Sequence, residues 1–213
     1  AIIGSTGSGK SALINLIPRF YDVEKGSILV DGVDIKDMLQ EDLRNKIGIV
    51  PQKAVLFSGS VSDNIRYGKE DATDEEVKHA AEVAQALDFV TNMKDGFDSF
   101  IAQGGNNVSG GQKQRLAIAR ALIKRPEVYI FDDSFSALDL KTDAKLRAAL
   151  KKETGDSTVI IVAQRVSTVM DADRIIVLEQ GEIAGMGTHK ELLNNCEIYR
   201  EIVSSQLSEE EIS

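Results

Sequence analysis

Eight residues near the start of the chain, Gly4-Ser5-Thr6-Gly7-Ser8-Gly9-Lys10-Ser11, have the types and spacing to grip a phosphate chain. In a Gly-x-x-x-x-Gly-Lys-Ser stretch the glycines let successive backbone N–H groups turn inward around phosphate oxygens. A helix that follows aims the positive end of its dipole at the same oxygens. Lys10 can reach the β and γ oxygens, and the Ser11 hydroxyl can ligate Mg²⁺. Ala1-Ile2-Ile3 reads as the end of a strand, and Ala12-Leu13-Ile14-Asn15-Leu16-Ile17 has helical apolar spacing up to Pro18. The loop therefore stands between a strand and a helix, the context this spacing needs.

A second glycine-rich helix start lies far downstream, at Val108-Ser109-Gly110-Gly111-Gln112. Ser109 followed by Gln112 at the third position is a capping box, and that role is expected. The same N–H groups also offer donors to a phosphate, and the first loop already serves the chain's own nucleotide. The second loop is thus expected to meet a phosphate carried by another molecule. Val128-Tyr129-Ile130-Phe131 reads as a buried strand whose end delivers Asp132 and Asp133. Beside a phosphate loop, Asp132 would hold Mg²⁺ and Asp133 would face the γ-phosphate; taken alone, the pair could equally be an acidic turn.

These residues need a scaffold, and composition bounds it. A chain of 213 residues suits one domain with room for a subdomain. A net charge of -9 argues against a nucleic-acid partner. The single cysteine, Cys196, cannot form an internal disulfide, and no zinc spacing is present, so a reducing compartment is expected. No apolar run approaches the roughly 18 residues that span a bilayer, and no signal peptide is evident. Only three residues precede Gly4, whereas a strand usually runs about 5–6 residues; truncation at the N-terminus is the expectation.

Along the chain, Ser27 to Val30, the Asp31-Gly32 turn and Val33 to Ile35 read as a hairpin. Lys46 to Val50 reads as a short buried strand ending at Pro51-Gln52. From about Asp63 to Lys94 the pattern is helical, with Val77, Ala80, Ala81, Ala84 and Leu87 on one face. Ser109 to Lys124 is a second helix, ended before Pro126. Strands are expected at Glu127 to Phe131, Thr158 to Val162 and Arg174 to Leu178. A last helix is expected from Thr188, with Glu191 as capping-box partner, fading into an acidic, solvated Ser208 to Glu211. Alternating strands and helices imply an α/β fold with a mostly parallel sheet.

Taken together, these motifs resemble the nucleotide-binding domain of an exporter-type ABC transporter. The resemblance rests on the phosphate loop, Gln52 after Val50-Pro51, Val108 to Gln112, Asp132-Asp133, Ser136-Ala137-Leu138-Asp139, and Val162-Ala163-Gln164-Arg165 in that order. Arg19-Phe20-Tyr21-Asp22 and Leu56 to Ile65 point to exporters within the family. The resemblance implies a P-loop NTPase (RecA-like) core with antiparallel β-elements and a helical subdomain. Residues 1–52 and 126–187 would form the catalytic core, 53–125 the helical subdomain, and 188–213 the C-terminal helix and tail. It further implies ATP and Mg²⁺ as cofactors, and a second nucleotide-binding domain packed head to tail. Transmembrane domains would be reached through coupling helices, at the cytoplasmic face of a membrane. Gly4 to Ser11 and Gln52 would then hold the nucleotide, and Ser11, Gln52 and Asp132 the metal. Asp133, Gln164 and Gln52 would serve catalysis. Ser109, Gly110, Gly111, Gln112 and Asp139 would complete the partner's ATP site.

Two positions depart from the family. Most members carry Glu where this chain has Asp133, and His where it has Gln164. Asp is one methylene shorter, so its carboxylate would fall about 1 Å short, a misplacement that can cost about 10²-fold. Gln can still hydrogen-bond a phosphate but carries no proton or charge. Both changes weaken hydrolysis and spare binding, which suggests a degenerate site in one half of a heterodimeric, multidrug-type exporter. Two alternatives stay open: a homodimeric exporter ATPase, and a soluble ABC-type ATPase.

Overall fold

A computed structural model of the chain describes residues 1–206, in two compact units. The first comprises 1–45, 130–136 and the described residues from Val159 onward; the second comprises 46–129 and 137–158.

The first unit is built on a mixed sheet. Its strands lie in the order Glu182–Gly187, Ile175–Glu179, Ile2–Gly4, Thr158–Val162, Val128–Asp132. Ile2–Gly4 runs parallel to both neighbours, with Ile2 opposite Val162 and Ile176. Near-continuous apolar runs such as Ile175-Ile176-Val177-Leu178 suit strands covered on both faces. Glu182–Gly187 returns antiparallel along Ile175–Glu179 through a tight turn, Gln180-Gly181, with φ of 49° and 84°. Positive φ at both central residues is the geometry that matches strand twist in a two-residue hairpin. The expected hairpin forms at Leu29–Val30 and Val33–Asp34, turning at Asp31 (φ 51°) and Gly32 (φ 80°).

One face of the sheet is sealed by an apolar cluster that includes Ile3, Ala163, Val166, Val169, Tyr199 and Val203. The C-terminal helix expected from Thr188 is two helices. His189–Asn195 starts at the Thr188–Glu191 capping box, and Glu197–Ser204 follows. Cys196 separates them in an extended conformation, its side chain buried, which turns the second helix so that Tyr199 and Val203 reach the cluster. The acidic stretch Ser208 to Glu211 lies outside the described residues.

The second unit is mainly helical. Helix Gly110–Ile123 buries Leu116, Ile118 and Leu122, and helices Val61–Arg66 and Asp74–Val83 pack on it. The continuous helical pattern expected from Asp63 to Lys94 is divided into three helices, Val61–Arg66, Asp74–Val83 and Leu87–Thr91. Beyond the first break the chain passes close to helix Gly110–Ile123: a Cβ on Gly68 would lie 2.1 Å from Arg120 O. Only glycine fits that approach, and Thr73 with Glu76 caps a fresh start. Val77, Ala80, Ala81 and Ala84 are buried as the pattern requires. Helix Leu140–Glu153, which the pattern along the chain did not single out, begins at Asp139, whose side chain accepts from Thr142 N–H. Among the described residues no helix is long and apolar enough to cross a membrane.

Candidate nucleotide-binding site

The loop Gly4 to Ser11 is shaped by one close approach and two left-handed glycines. A Cβ on Gly4 would stand 2.1 Å from Leu178 O and 2.8 Å from Ser8 Oγ, so the strand carries no side chain there. Gly7 and Gly9 have φ of 83° and 98°, which glycine adopts freely. Gly9 caps helix Lys10–Leu16 without any side-chain hydrogen bond, so no capping side chain occupies that helix start. The unforeseen turn at Gln180-Gly181 braces the loop: Gly181 N–H donates to Ser8 O at 3.1 Å, and Ser5 Oγ donates to Glu179 Oε2 at 3.4 Å.

Lys10 folds back over this loop. Its Nζ donates to Gly4 O at 2.8 Å, Ser5 O at 2.7 Å and Ser8 Oγ at 3.4 Å. These acceptors are neutral, so the ammonium could exchange them for charged oxygens. Burial lowers the Lys10 pKa, and the nearby Asp133 and Asp132 oppose that shift. Ser11 Oγ donates to Asp132 Oδ1 at 3.2 Å. The Asp132 carboxyl is held above its ordinary range, first by burial and then by the charge of Asp133, with Ser11 and Lys10 opposing. A hydroxyl and a carboxylate that resists carrying unbalanced charge are hard oxygen donors suited to Mg²⁺. Among the described residues no group of three or more His, Cys, Asp or Glu is placed to hold a metal. A Mg²⁺ here would thus draw further ligands from phosphate and water, its usual habit.

Asp133 is 8% exposed, and its backbone is left-handed, with φ 45°. Its N–H donates to Val162 O at 2.9 Å. Gln164 Nε2 donates to Asp133 Oδ2 at 3.0 Å, so the two atypical residues are direct partners. Ser136 Oγ closes the turn by donating to Asp133 O at 2.9 Å. Asp133, Ser136, Gln164, Arg165 and Thr168 border a cavity of about 220 Å³.

Five candidate side chains, Lys10, Ser11, Asp132, Asp133 and Gln164, are thus gathered in one unit by the ends of adjacent strands. The family model described as ABC transporter matches residues 1–136, more than half the chain. The chain belongs to the ABC transporter family. An uncharacterized ABC transporter ATP-binding protein of Mycobacterium tuberculosis is 53% identical over 209 residues, 97% of this chain and 36% of its own length. A putative multidrug export ATP-binding/permease protein of Staphylococcus aureus is 48% identical over 206 residues, again 97% and 36%. A solved structure, of a bacterial Atm1-family ABC exporter with ATP bound, matches with TM-score 0.94 and 41% identity, over 98% of this chain and 36% of that one. This ABC chain therefore spans about a third of the length of the relatives it matches. The fold is the α/β, P-loop NTPase fold of ABC ATPases, with a mixed, mostly parallel sheet.

The remaining candidates of this ABC chain lie in the second unit. Gln52 is exposed and follows Pro51, whose carbonyl accepts from Gln114 Nε2 at 3.3 Å. Ser109 and Gly110 are exposed at the start of helix Gly110–Ile123. The capping box is present: Ser109 Oγ accepts from Gln112 N–H at 3.2 Å, and Gln112 Oε1 accepts from Ser109 N–H at 2.9 Å. A Cβ on Gly111 would lie 3.2 Å from Ala137 O, which keeps that position small. Asp139 is exposed, and hydrogen bonds from Thr142 hold its carboxyl below the ordinary range. Motif reading missed one supporting group, Gln206, which bonds the backbone of Gln164; Ser8, buried beside Gly4, and Ser136 lie within the motifs themselves.

Proposed function

We propose that this chain is the ATP-binding and ATP-hydrolysing part of a membrane exporter, that it works head to tail with a second nucleotide-binding domain, and that its own site is slow. In this reading Lys10 and the N–H groups of Gly4 to Ser11 hold the phosphates. Ser11, Asp132 and Gln52 hold Mg²⁺, which when bound would neutralise charge on the phosphate oxygens. Gln52 reports on the site to transmembrane domains, through coupling helices at the cytoplasmic face of the membrane. Ser109, Gly110, Gly111, Gln112 and Asp139 serve the partner's nucleotide. Residues 53–125 act as the helical subdomain, and the acidic balance speaks against nucleic acid as a partner. The export names of the relatives favour an exporter over a soluble ATPase.

The observation that carries the slow site is the 3.0 Å bond from Gln164 Nε2 to Asp133 Oδ2. In this reading Asp133 is the carboxylate that takes a proton from an attacking water. One of its oxygens is already committed to an amide donor, and the short side chain gives it little reach. Gln164 cannot accept that proton or balance a growing negative charge. General-base assistance is worth about 10²–10⁴-fold in rate. A second reading, a homodimer, is favoured by one observation: the same chain carries both the phosphate loop and the Ser109 loop with its capping box formed.

Single-turnover hydrolysis in the full-length transporter tests the proposal. Asp133→Glu with Gln164→His should speed hydrolysis at this site by about 10-fold or more. A wild type as fast as the double variant overturns the slow site. Purified alone, the wild type should bind ATP and turn it over little until a second, different chain is added. Steady turnover without that chain supports the homodimer.

A further inference from the structure

The two peptide groups that flank Arg165 end on one side chain. Gln206 Nε2 donates to Gln164 O at 2.8 Å, and Val166 N–H donates to Gln206 Oε1 at 2.9 Å. Val166 opens helix Val166–Val169, whose N-cap, Arg165, supplies no capping hydrogen bond from its side chain. A four-residue helix cannot sustain itself, and the first N–H groups of any helix need outside partners. A carboxamide 40 positions downstream provides one.

That carboxamide is itself anchored. Gln206 follows helix Glu197–Ser204, and its N–H donates to Val203 O at 3.0 Å. Tyr199 and Val203 sit in the same apolar cluster as Ala163, Val166 and Val169. The C-terminal helix and the segment that bears Gln164 are therefore joined twice, by packing and by this side chain. From Gln164 the connection continues through its own carboxamide to Asp133.

We infer that Gln206 is a positioning residue for the nucleotide site: by gripping the backbone on both sides of Arg165 it sets where the Gln164 side chain stands, and so couples the C-terminal helix to bound nucleotide. The coupling rests on the proposed function above and on Gln164, which can hydrogen-bond a phosphate through its amide, serving the chain's own nucleotide. The chemistry of the grip is specific. One end of the carboxamide must donate and the other must accept, and glutamine offers both. A glutamate would still accept from Val166 N–H but would set a second acceptor against Gln164 O. Plain helix capping would be served by either residue.

The test uses the full-length transporter carrying this chain, with Gln206→Glu and Gln206→Leu, each alone and combined with Gln164→Ala. The first measurement is release of a β,γ-imido analogue of ATP, which removes hydrolysis and hence the slow-site reading from the outcome. Losing one neutral hydrogen bond's worth of positioning should speed release about 5-fold in both single variants. In the Gln164→Ala background neither change should alter release, because coupled residues are not additive. Wild-type release by Gln206→Glu would reduce Gln206 to a cap, and equal acceleration without Gln164 would remove the route through it; either overturns the inference. The second measurement is amide exchange across 164–169 without nucleotide. Faster exchange in Gln206→Leu is expected, and unchanged exchange overturns the grip itself. If the wild type fails to bind the analogue, the nucleotide reading falls and this exchange measurement still decides the grip. Should Gln206→Leu fail to fold, Gln206→Glu carries the release measurement and Gln206→Ala the exchange measurement.

Discussion

Gln164 Nε2 lies 3.0 Å from Asp133 Oδ2, and Asp133 holds that position from a left-handed backbone at φ 45°. Asp and Asn tolerate this region better than other residues with a Cβ, because their short polar side chains bond locally. Asp133→Glu should therefore destabilise the ligand-free chain, by up to about 1 kcal/mol, or roughly 2–4 °C in thermal midpoint. Asp133→Asn should leave the midpoint near wild type. Thermal unfolding of the two variants checks this. A Glu variant as stable as wild type would show that the backbone relaxes out of the left-handed region. The gain in hydrolysis proposed for Asp133→Glu with Gln164→His is then expected alongside a loss in stability.

Lys10→Ala should remove most affinity for MgATP. Lys10 supplies the positive side chain folded over the loop, and its three acceptors there, Gly4 O, Ser5 O and Ser8 Oγ, are neutral. A hydrogen bond between charged groups contributes about 1.5–3 kcal/mol, so at least a 10-fold weaker Kd is expected by calorimetry. Unchanged affinity would show that Lys10 does not meet the phosphates.

The phosphate loop was legible because each of its fixed positions answers to a local demand: inward N–H groups, left-handed turns at Gly7 and Gly9, a helix start at Lys10. The Asp31-Gly32 turn and the Thr188–Glu191 box were legible for the same reason. What escaped reading depends on distant chain. Strand Glu182–Gly187 carries little apolar alternation, and its best signal was the Gln180-Gly181 turn. The close passage of Gly68 by Arg120 O involves a residue more than 50 positions away, which no local pattern records. Helix Leu140–Glu153 carries a local signal, Asp139 as cap with Leu146 and Leu150 on one face, but Asp139 also falls within a motif read for another role. Gln206 meets Gln164 only because Tyr199 and Val203 are drawn into the cluster beneath it.

Ser109 has two candidate duties that one substitution separates. Its hydroxyl caps helix Gly110–Ile123, and Asp caps about as well as Ser. Ser109→Asp should keep the thermal midpoint close to wild type, whereas Ser109→Ala should cost about 1 kcal/mol. The aspartate would place a negative charge where the partner's phosphates are proposed to dock, so ATPase activity of the assembled transporter should collapse. Normal turnover by a stable Ser109→Asp transporter would refute the role in trans.

Asp132 sets binding against stability. Burial and the charge of Asp133 hold its carboxyl above the ordinary 3.8 in the folded chain. A raised folded value means that protonation favours the fold. The cost of the charged form is thus present at neutral pH and fades as pH falls through that raised value. Asp132→Asn should raise the midpoint of the ligand-free chain modestly at pH 7, with the gap to wild type closing on acidification. With MgATP the order should reverse, since ligand stabilises only the chain that binds it. Melting curves at several pH values, with and without MgATP, decide it; a variant less stable than wild type throughout would contradict the assigned cost.

Gly4 and Gly7 should fail in different ways when a methyl is added. At Gly4 the new Cβ would meet Leu178 O at 2.1 Å and Ser8 Oγ at 2.8 Å, between two paired strands. The nearest atom is backbone, so the ladder itself must open, and overpacking of this kind costs about 1–3 kcal/mol or more. Gly4→Ala should therefore lower the thermal midpoint by roughly 3–10 °C and lose nucleotide binding as a consequence. At Gly7 a Cβ would meet nothing within 4 Å, and the obstacle is the φ of 83° alone. Gly7→Ala should cost about 1 kcal/mol in stability while distorting the N–H groups of the loop, so its loss of affinity should exceed what its midpoint implies. Paired melting and calorimetry on the two variants test the contrast. A Gly4→Ala chain as stable as Gly7→Ala would mean that the loop and the Ile175–Glu179 strand are not in the contact described.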